Sequence, residues 1–254
     1  MTSPTNPLRL ITDSFPDEPG LDTAISSALL RLADGGEASE TLRLYKPGRE
    51  VAFGRQDVAA TGYRSAVEAA RQRGFEAIER LAGGRAAVFS PATIAFAWTI
   101  PDPDPRSRTE RRFAMVAALL RTALSDLGID ARIGEVPGEY CPGRFSINAG
   151  GTIKLVGIGQ RVTRRAAHVG GVIVVDDSAG INDILEPVYT ALELDWRPQA
   201  TGAIADVVPG AAYDGVLEAI TRSIGKARPQ LTESVDSKTM QLARQLAPSH
   251  ISPT

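Results

Sequence analysis

Residues 150–161 place a single lysine, Lys154, inside an apolar strand pattern that is interrupted by glycines. Apolar side chains alternate on both faces of this strand, with Ile153 and Leu155 on one and Val156 and Ile158 beside Lys154 on the other. A strand that is apolar on both faces is typically buried on both. A buried ammonium needs an anionic partner, so the pattern predicts either such a partner or an edge strand from which the side chain reaches water.

The composition excludes several kinds of site and partner. One cysteine rules out an intrachain disulfide, and with only two histidines it is too few for a cysteine/histidine zinc site, so we predict no metal site. The 28 lysines and arginines nearly balance 30 aspartates and glutamates, which argues against a nucleic-acid partner. No apolar run reaches the about 18 residues of a membrane span, and residues 1–7 lack a secretion-signal pattern. We expect a cytoplasmic protein that binds no membrane.

Strand and helix patterns follow one another in runs along the chain. Helical spacing of apolar residues predicts helices near residues 19–33, 65–73, 109–127, 181–192 and 213–224. Strands are predicted at residues 42–45, 51–54, 75–81, 86–89, 93–100, 131–133, 146–148, 152–163 and 169–175. Because strands do not alternate strictly with helices, we expect an α+β fold with a mixed, largely antiparallel sheet flanked by helices.

This pattern also suggests a domain organisation. We expect a lead-in over residues 1–18, one domain over residues 19–225, and a polar C-terminal tail over residues 226–254. A short helix is predicted in the tail from Ser237 to Leu246, and the very end is expected to be loose.

Adjacent glycines, Gly83 and Gly84, separate two predicted strands. Glycines allow positive φ and close approach of a ligand to the backbone, and the small side chain of Ala86 keeps that approach open. Arg80 and Arg85 flank the pair, and a guanidinium is suited to phosphate or carboxylate. The alternative is a tight hairpin with two solvated arginines.

Two further side chains are candidates for chemistry. Cys141 lies in a turn-rich loop 13 residues before Lys154, beside a proline, a glycine and an arginine. Such a thiol is either a nucleophile with a lowered pKa or a small buried apolar residue. His168 precedes a glycine-containing strand, where it donates either to a ligand or to a local carbonyl group.

Familiar catalytic motifs are absent from the sequence. It contains no G-x-x-x-x-G-K-[ST] phosphate loop, no G-x-G-x-x-G after a strand, no H-E-x-x-H and no G-x-S-x-G. These absences exclude simple P-loop, Rossmann, zincin and α/β-hydrolase assignments.

Five segments, taken in order, resemble the lipoate–protein ligase and octanoyltransferase superfamily. LDTAI at 21–25 is similar to its first-helix signature M-x-x-D-E-A, and IKLVGIGQR at 153–161 resembles its lysine strand, GRKI-x-G-[SI]-[AG]-QR. The other three similar segments are LRLY at 42–45 with VAFGRQ at 51–56, which resembles a hairpin, RLAGGRAAV at 80–88, and HVGG at 168–171. The resemblance covers roughly residues 19–178.

The resemblance implies a fold, an activity and a set of site residues. The catalytic fold is the one shared with biotin–protein ligases, and it would occupy residues 19–225. Lys154 would contact the activated acyl carbonyl and stabilise its developing negative charge. The residues expected to bind the acyl substrate are Arg80, Gly83, Gly84, Arg85, Ala86, Gly157, Gln160 and His168. The acceptor would be a lysine on a lipoyl carrier domain, of the glycine-cleavage H-protein or dehydrogenase E2 type.

The details favour the transferase branch of that superfamily. The glycine loop with Arg85 and the cysteine ahead of the lysine strand resemble cysteine-dependent octanoyltransferases, in which Cys141 would form a thioester with octanoate from acyl carrier protein, without a cofactor. One alternative is a lipoate–protein ligase that uses ATP and Mg²⁺ to form lipoyl-AMP at Lys154.

Departures from the superfamily pattern leave a third alternative. Phe89 and Ser90 stand where the superfamily carries His or His-Asp, and Ala82 replaces a Ser or Thr. Because of these departures, the third alternative is a non-catalytic module that binds acyl groups or carrier domains.

Overall fold

The computed structural model describes residues 7–253. Residues 1–6 and Thr254 lie outside this part. The prediction that residues 1–7 lack a secretion signal therefore concerns residues that are almost all outside the described part. Among the described residues, no helix has the length and apolar character needed to cross a bilayer.

The described residues form eleven strands and eight α-helices. The strands are β1 Leu8–Ile11, β2 Thr41–Tyr45, β3 Glu50–Phe53, β4 Glu76–Glu79, β5 Ala87–Phe89, β6 Thr93–Pro101, β7 Ala131–Ile133, β8 Ile147–Ala149, β9 Ile153–Val162, β10 Ala166–Val174 and β11 Gln230–Thr232. The helices are α1 Leu21–Asp34, α2 Arg55–Val58, α3 Tyr63–Gln72, α4 Thr109–Ser125, α5 Ser178–Ala191, α6 Ile204–Val207, α7 Tyr213–Ala227 and α8 Ser237–Leu246.

Eight of the strands form one large sheet, in the order β11-β1-β2-β6-β10-β9-β8-β7. Every pair from β2 to β7 is antiparallel, and only β1 pairs in parallel, with β2 and with β11. The expected α+β class with a mixed, largely antiparallel sheet is confirmed. Alternate residues of β6 (Ile94, Phe96 and Trp98) join α4 residues such as Leu120 in the core beneath this sheet.

A second sheet of three strands has the order β4-β3-β5. Its apolar residues, including Val51 and Phe53, pack with Val67 of α3 and Leu185 of α5 in a separate core. Two expected strand pairings are wrong here. β2 and β3 belong to different sheets and form no hairpin, and β4 and β5 are separated by β3 rather than paired around the two glycines. Strand periodicity indicates which face is buried but does not select the partner strand.

The strand that carries Lys154 is an interior strand. β9 lies between β8 and β10, so the edge-strand alternative is wrong. A register shift between Ile147 and Asn148 places one extra residue of β9 opposite β8, directly after Lys154. Such a bulge re-aims the neighbouring side chains and is common beside active sites.

The terminal segments complete the molecule. β1 and β11, which were not predicted, add one edge of the large sheet, and α8 has the predicted bounds and packs against α1. The expectation of a loose end is wrong for the described residues. Ile251 forms a bridge with Ile78, and Ser252 is buried, with its N–H 2.9 Å from the carbonyl oxygen of Ala77. This end of the chain is fixed by backbone pairing, which composition does not reveal.

Candidate active site

Lys154 is buried and all three of its N–H donors have partners. Nζ lies 3.0 Å from Oε1 of Glu139, 2.9 Å from the carbonyl oxygen of Tyr140 and 2.7 Å from that of Cys141. The side chain is 0% exposed. The predicted anionic partner therefore exists, but it is a carboxylate of the protein, and no N–H of Lys154 is left free to point at a ligand.

Glu139 organises the loop between β7 and β8. Besides Lys154, its carboxylate accepts hydrogen bonds from the backbone N–H groups of Val136 (2.9 Å) and Gly143 (3.1 Å) and from the hydroxyl of Ser146 (2.6 Å). Charge-assisted hydrogen bonds of this kind are the strong ones, and a buried carboxylate requires them. Glu139 thus ties together residues on both sides of Cys141.

Cys141 has a left-handed backbone, with φ of 43°. A non-glycine residue in that region is strained and needs support from its surroundings. Lys154 holds its carbonyl oxygen, and the hydroxyl oxygen of Tyr189 accepts from its N–H at 2.8 Å. The same hydroxyl donates to the carbonyl oxygen of Ala86 at 3.0 Å, so Tyr189 joins the cysteine loop to the glycine loop.

The thiol of Cys141 accepts two hydrogen bonds from the glycine loop. Sγ lies 3.3 Å from Nη2 of Arg80 and 3.2 Å from the backbone nitrogen of Arg85. Burial raises the pKa of the Cys141 thiol, but the charges of Arg80 and Lys154 and the two hydrogen bonds outweigh burial, so the pKa lies below its ordinary value. Such surroundings favour the thiolate and are typical of nucleophilic cysteines rather than of inert buried ones.

The glycine loop fits against the thiol because it carries no side chain there. Gly84 has φ of 105°, and a Cβ on it would lie 2.8 Å from Sγ of Cys141. A Cβ on Gly54 would overlap the carbonyl oxygen of Gly84. The pair of glycines therefore permits close approach, as predicted, although the approaching group is the protein's own cysteine loop.

The two arginines of the glycine loop differ in their contacts. Arg80 contacts the thiol and also donates to the carbonyl oxygen of Arg85 at 2.5 Å. Nη1 of Arg85 lies 3.3 Å from Oδ1 of Asp57, a fully buried carboxylate that also accepts from the N–H of Gly54 at 2.9 Å. The side chain of Arg85 is only 32% exposed, so it is not the freely solvated arginine of the hairpin alternative, and its charge already has a partner.

A cavity of about 290 Å³, which we call the thiol cavity, opens beside Cys141. Besides Cys141, five of the predicted residues line it, namely Arg80, Gly83, Gly84, Lys154 and Gly157. The rest of its wall is mostly apolar and includes Phe89, Phe113, Tyr140, Phe145, Ile158 and Val172. An apolar cavity with a thiol of lowered pKa at its wall has the shape and the chemistry to hold an acyl chain beside that thiol.

His168 lies in a smaller cavity of about 40 Å³ that shares Arg80, Phe89 and Gly171 with the thiol cavity. Burial, with a lesser contribution from the charge of Arg43, lowers the pKa of His168 to about 4, so the ring is neutral at pH 7. Its Nδ1 is buried and has no hydrogen-bond partner within the described part of the chain. The ring therefore has an unused polar atom, as a ligand-binding role requires.

Three predicted residues do not line the cavities, and one of them is Arg85, whose side chain pairs with Asp57. The side chain of Gln160 accepts from Nε of Arg112 (2.8 Å) and donates to the carbonyl oxygen of Thr109 (3.1 Å), so it anchors β9 to α4. Ala86 is fully buried and meets Tyr189 through its carbonyl oxygen. Their predicted contact with substrate stays a prediction.

Sequence reasoning missed three residues of the site, Glu139, Tyr189 and Asp57. All three are at most 2% exposed, and each fixes a loop rather than facing the cavity. One signal in the sequence could have indicated Glu139. It is a carboxylate two residues before Cys141, and Lys154 was expected to be buried and to need an anionic partner. Within residues 7–253, no group of three or more His, Cys, Asp or Glu side chains is placed to hold a metal ion.

Comparisons with known proteins give a consistent result. The family described as lipoyl protein ligase A/B catalytic domain matches residues 18–195. An octanoyl-[GcvH]:protein N-octanoyltransferase from Geobacillus kaustophilus is 27% identical over 187 residues, and one from Bacillus velezensis is 25% identical over 187 residues. In both cases the match covers 73% of this chain and 65% of the relative, so the chain spans less than two thirds of their length.

Solved structures share the fold. A lipoate-protein ligase A bound with ATP superposes with a TM-score of 0.79 at 20% identity, covering 96% of this chain and 95% of that one. The bipartite lipoate protein ligase from Thermoplasma acidophilum, solved in a study of that ligase and its E2 lipoyl domain, gives 0.72 at 18% identity over 95% and 92% of the two chains.

Proposed function

Since this chain belongs to the family of lipoyl protein ligase A/B catalytic domains, we propose that it is an acyltransferase that moves an octanoyl or lipoyl group to a lysine of a lipoyl carrier domain. The observation that carries the proposal is the Cys141 thiol, held by Arg80 and Arg85 at the wall of an apolar cavity. The names of the similar octanoyltransferases support octanoyl as the acyl group.

The reaction takes place in two steps at Cys141. The thiolate attacks the acyl carbonyl carbon of the donor, a sulfur–carbon bond forms, and the donor's carrier group leaves as a thiolate, or as an amine after taking a proton from water. The amine of the acceptor lysine then attacks this thioester. The nitrogen–carbon bond forms, the sulfur–carbon bond breaks, the thiolate returns, and the amine loses a proton to water.

Arg80 and Lys154 supply positive charge to both steps. Arg80 contacts the sulfur directly, and Lys154 acts through its charge while its N–H groups hold the loop. This role of Lys154 differs from the expected direct contact with the acyl carbonyl, because its three donors already have acceptors in the protein. Fixed positive charge at the reacting centre stabilises the thiolate and the negative charge of the tetrahedral intermediate.

The thiol cavity and the adjacent small cavity would accommodate the acyl chain. The carbonyl end would lie at Cys141 between Gly83, Gly84 and Gly157, and the chain would follow the apolar wall of the thiol cavity. Its distal end would reach the small cavity, where His168 offers a neutral ring with an unpartnered Nδ1.

The acceptor in this proposal is a lipoyl carrier domain of the H-protein or E2 type, and acyl carrier protein is a proposed donor. The cysteine route requires no cofactor, whereas ATP and Mg²⁺ are required only by ligation through lipoyl-AMP. We further propose a cytoplasmic location, because a single reactive thiol suits a reducing compartment.

Intact-mass measurement tests the proposal. The protein is mixed with octanoyl-acyl carrier protein or an octanoylated carrier domain, and we expect an octanoyl adduct on the wild type and none on Cys141→Ser, with transfer lowered by about 1000-fold or more in that variant. Transfer that needs free lipoate and ATP and survives Cys141→Ser would support a ligase instead. Carrier binding with no adduct and no transfer would support a binding module.

A further inference from the structure

Four arginines from four segments line a second cavity of about 290 Å³. They are Arg31 of α1, Arg55 of α2, Arg80 after β4 and Arg161 of β9, and we call this cavity the arginine cleft. It is a local concentration of positive charge in a chain whose net charge is −2. Arg31, Arg55 and Arg161 line neither the thiol cavity nor the small cavity beside it.

The charges of the arginine cleft are not neutralised by the protein. Within residues 7–253, Arg31, Arg55 and Arg161 have no carboxylate at ion-pair distance. The acidic residue in the wall is Glu79, whose carboxylate already accepts from the hydroxyl of Tyr63 at 3.1 Å. One carboxylate against four guanidinium groups leaves the cleft strongly cationic.

The neighbouring groups do not relieve this charge. Burial lowers the pKa of Arg161, and the like charge of Arg55 nearby lowers it further. His250 also lines the cleft, but burial lowers its pKa, and its Nδ1 lies 2.9 Å from the carbonyl oxygen of Glu79. An anion entering the cleft would relieve the repulsion between the arginines.

The cleft lies next to the reacting thiol. Arg80 belongs to its wall, and Nη2 of the same side chain is 3.3 Å from Sγ of Cys141. Arg55 is held on α2, whose Asp57 bonds to Gly54 and to Arg85 of the glycine loop. An anionic group bound in the cleft would therefore be fixed relative to the thioester.

We infer that the arginine cleft binds carboxylates of an acidic segment on the lipoyl carrier domain, and so positions the carrier's lysine for acyl transfer. The inference rests on the proposed function. Guanidinium groups match carboxylates with paired hydrogen bonds, and complementary charge speeds encounter and fixes the orientation of a partner. The phosphate on the arm of acyl carrier protein offers similar oxyanion chemistry, and the experiment separates the two.

The test is a titration of a lipoyl carrier domain against the wild type, the double variant Arg31→Glu/Arg55→Glu and the control Arg121→Glu. Arg31, Arg55 and Arg121 are all exposed, and Arg121 lies on α4 and lines none of the cavities described. We expect Kd to rise at least 10-fold in the double variant and less than 2-fold in the control. Added salt should weaken wild-type binding more than that of the double variant. Equal thermal unfolding midpoints establish that the variants are folded.

A double variant that binds the carrier domain within 2-fold of the wild type would overturn the inference. Repeating the titration with acyl carrier protein, with and without its phosphate-bearing arm, tests the source of the anion. An effect confined to the arm-bearing form would overturn the assignment to carboxylates. Acylation of wild-type Cys141 by an uncharged octanoyl thioester is measured separately, so its failure would count against the proposed function and not against the cleft.

Discussion

At the scale of single residues, the buried pair of Lys154 and Glu139 connects stability to reactivity. Lys154 holds the carbonyl oxygens of Tyr140 and Cys141, and its charge lowers the pKa of the thiol. Removing one member of a buried ion pair leaves the other charge without compensation, which typically destabilises a protein by about 3–5 kcal/mol. Replacing either member of the pair is therefore expected to change both the stability of the fold and the reactivity of the Cys141 thiol.

Replacing Lys154 with alanine should lower the free energy of unfolding by about 3 kcal/mol and abolish most acyl transfer. The thiol should also lose part of its reactivity at neutral pH, because the charge that favours the thiolate is gone. Denaturant unfolding and the pH dependence of Cys141 alkylation measure the two effects.

The double variant Lys154→Met/Glu139→Gln is the matched control for that substitution. It removes both charges, so it should recover part of the lost stability while the pH profile of alkylation stays shifted to higher pH. Unchanged stability and unchanged alkylation in Lys154→Ala would contradict the role assigned to this pair.

Glu50 gives the molecule a pH dependence of its own. Burial, opposed by a hydrogen bond from the N–H of Gly20, raises the pKa of Glu50 to about 7. The folded state then holds its proton at pH values where the unfolded state has lost it. The contribution of Glu50 to stability is therefore greatest below pH 4.5, its ordinary pKa, and is lost as pH rises toward 7.

The variant Glu50→Gln should remove this loss. At pH 8 we expect it to be more stable than the wild type by about 3 kcal/mol, the equivalent of a pKa raised from 4.5 to about 7. At pH 4 the two proteins should be alike, because Glu50 is largely protonated in both states. Thermal or urea unfolding at the two pH values provides the measurement, and an equal difference at both would contradict the assignment.

At the scale of elements, the site depends on α5 holding two loops together. The Tyr189 hydroxyl accepts from the N–H of Cys141 and donates to the carbonyl oxygen of Ala86. Because Cys141 has a strained backbone, this link helps to keep Sγ within reach of Arg80 and Arg85.

The variant Tyr189→Phe should cost about 1–2 kcal/mol of stability, since two buried backbone groups lose their partner. Cys141 should also be acylated more slowly. Tyr63→Phe is the control, because that hydroxyl bonds to Glu79 and Ser252 and has no contact with the cysteine loop. The rate of acylation is measured by mass spectrometry of reactions quenched at set times. Equal effects of the two variants on that rate would show that Tyr189 acts only on stability.

Local pattern predicted the elements well and their pairing poorly. α8 and β7 have the predicted bounds, and α4 ends shortly before Gly128, as the glycine indicated. The separation of β2 from β3 was not predicted, because partner choice depends on contacts distant in sequence. Likewise, Cys141, Lys154 and the glycine pair were identified from residue type, whereas Tyr189 acquires its role only when α5 packs against the small sheet.

At the scale of the whole molecule, the site lies where the two sheets meet. The Cys141 loop connects β7 and β8 of the large sheet, and the Gly83–Gly84 loop connects β4 and β5 of the small sheet. The hydrogen bonds to the thiol come from the opposite loop, so neither sheet alone would form the site. The terminal segments add to the same framework, through β1 and β11 on the large sheet and Ile251 against β4.

The central claim is that the acyl group passes through Cys141. The most direct measurement is a chase: the protein is octanoylated, freed of donor, and mixed with an unmodified lipoyl carrier domain while both masses are followed in time. The account predicts that octanoyl leaves Cys141 and appears on the carrier lysine at a rate at least equal to steady-state turnover. An adduct that persists while the carrier is modified at the normal rate from fresh donor would contradict it.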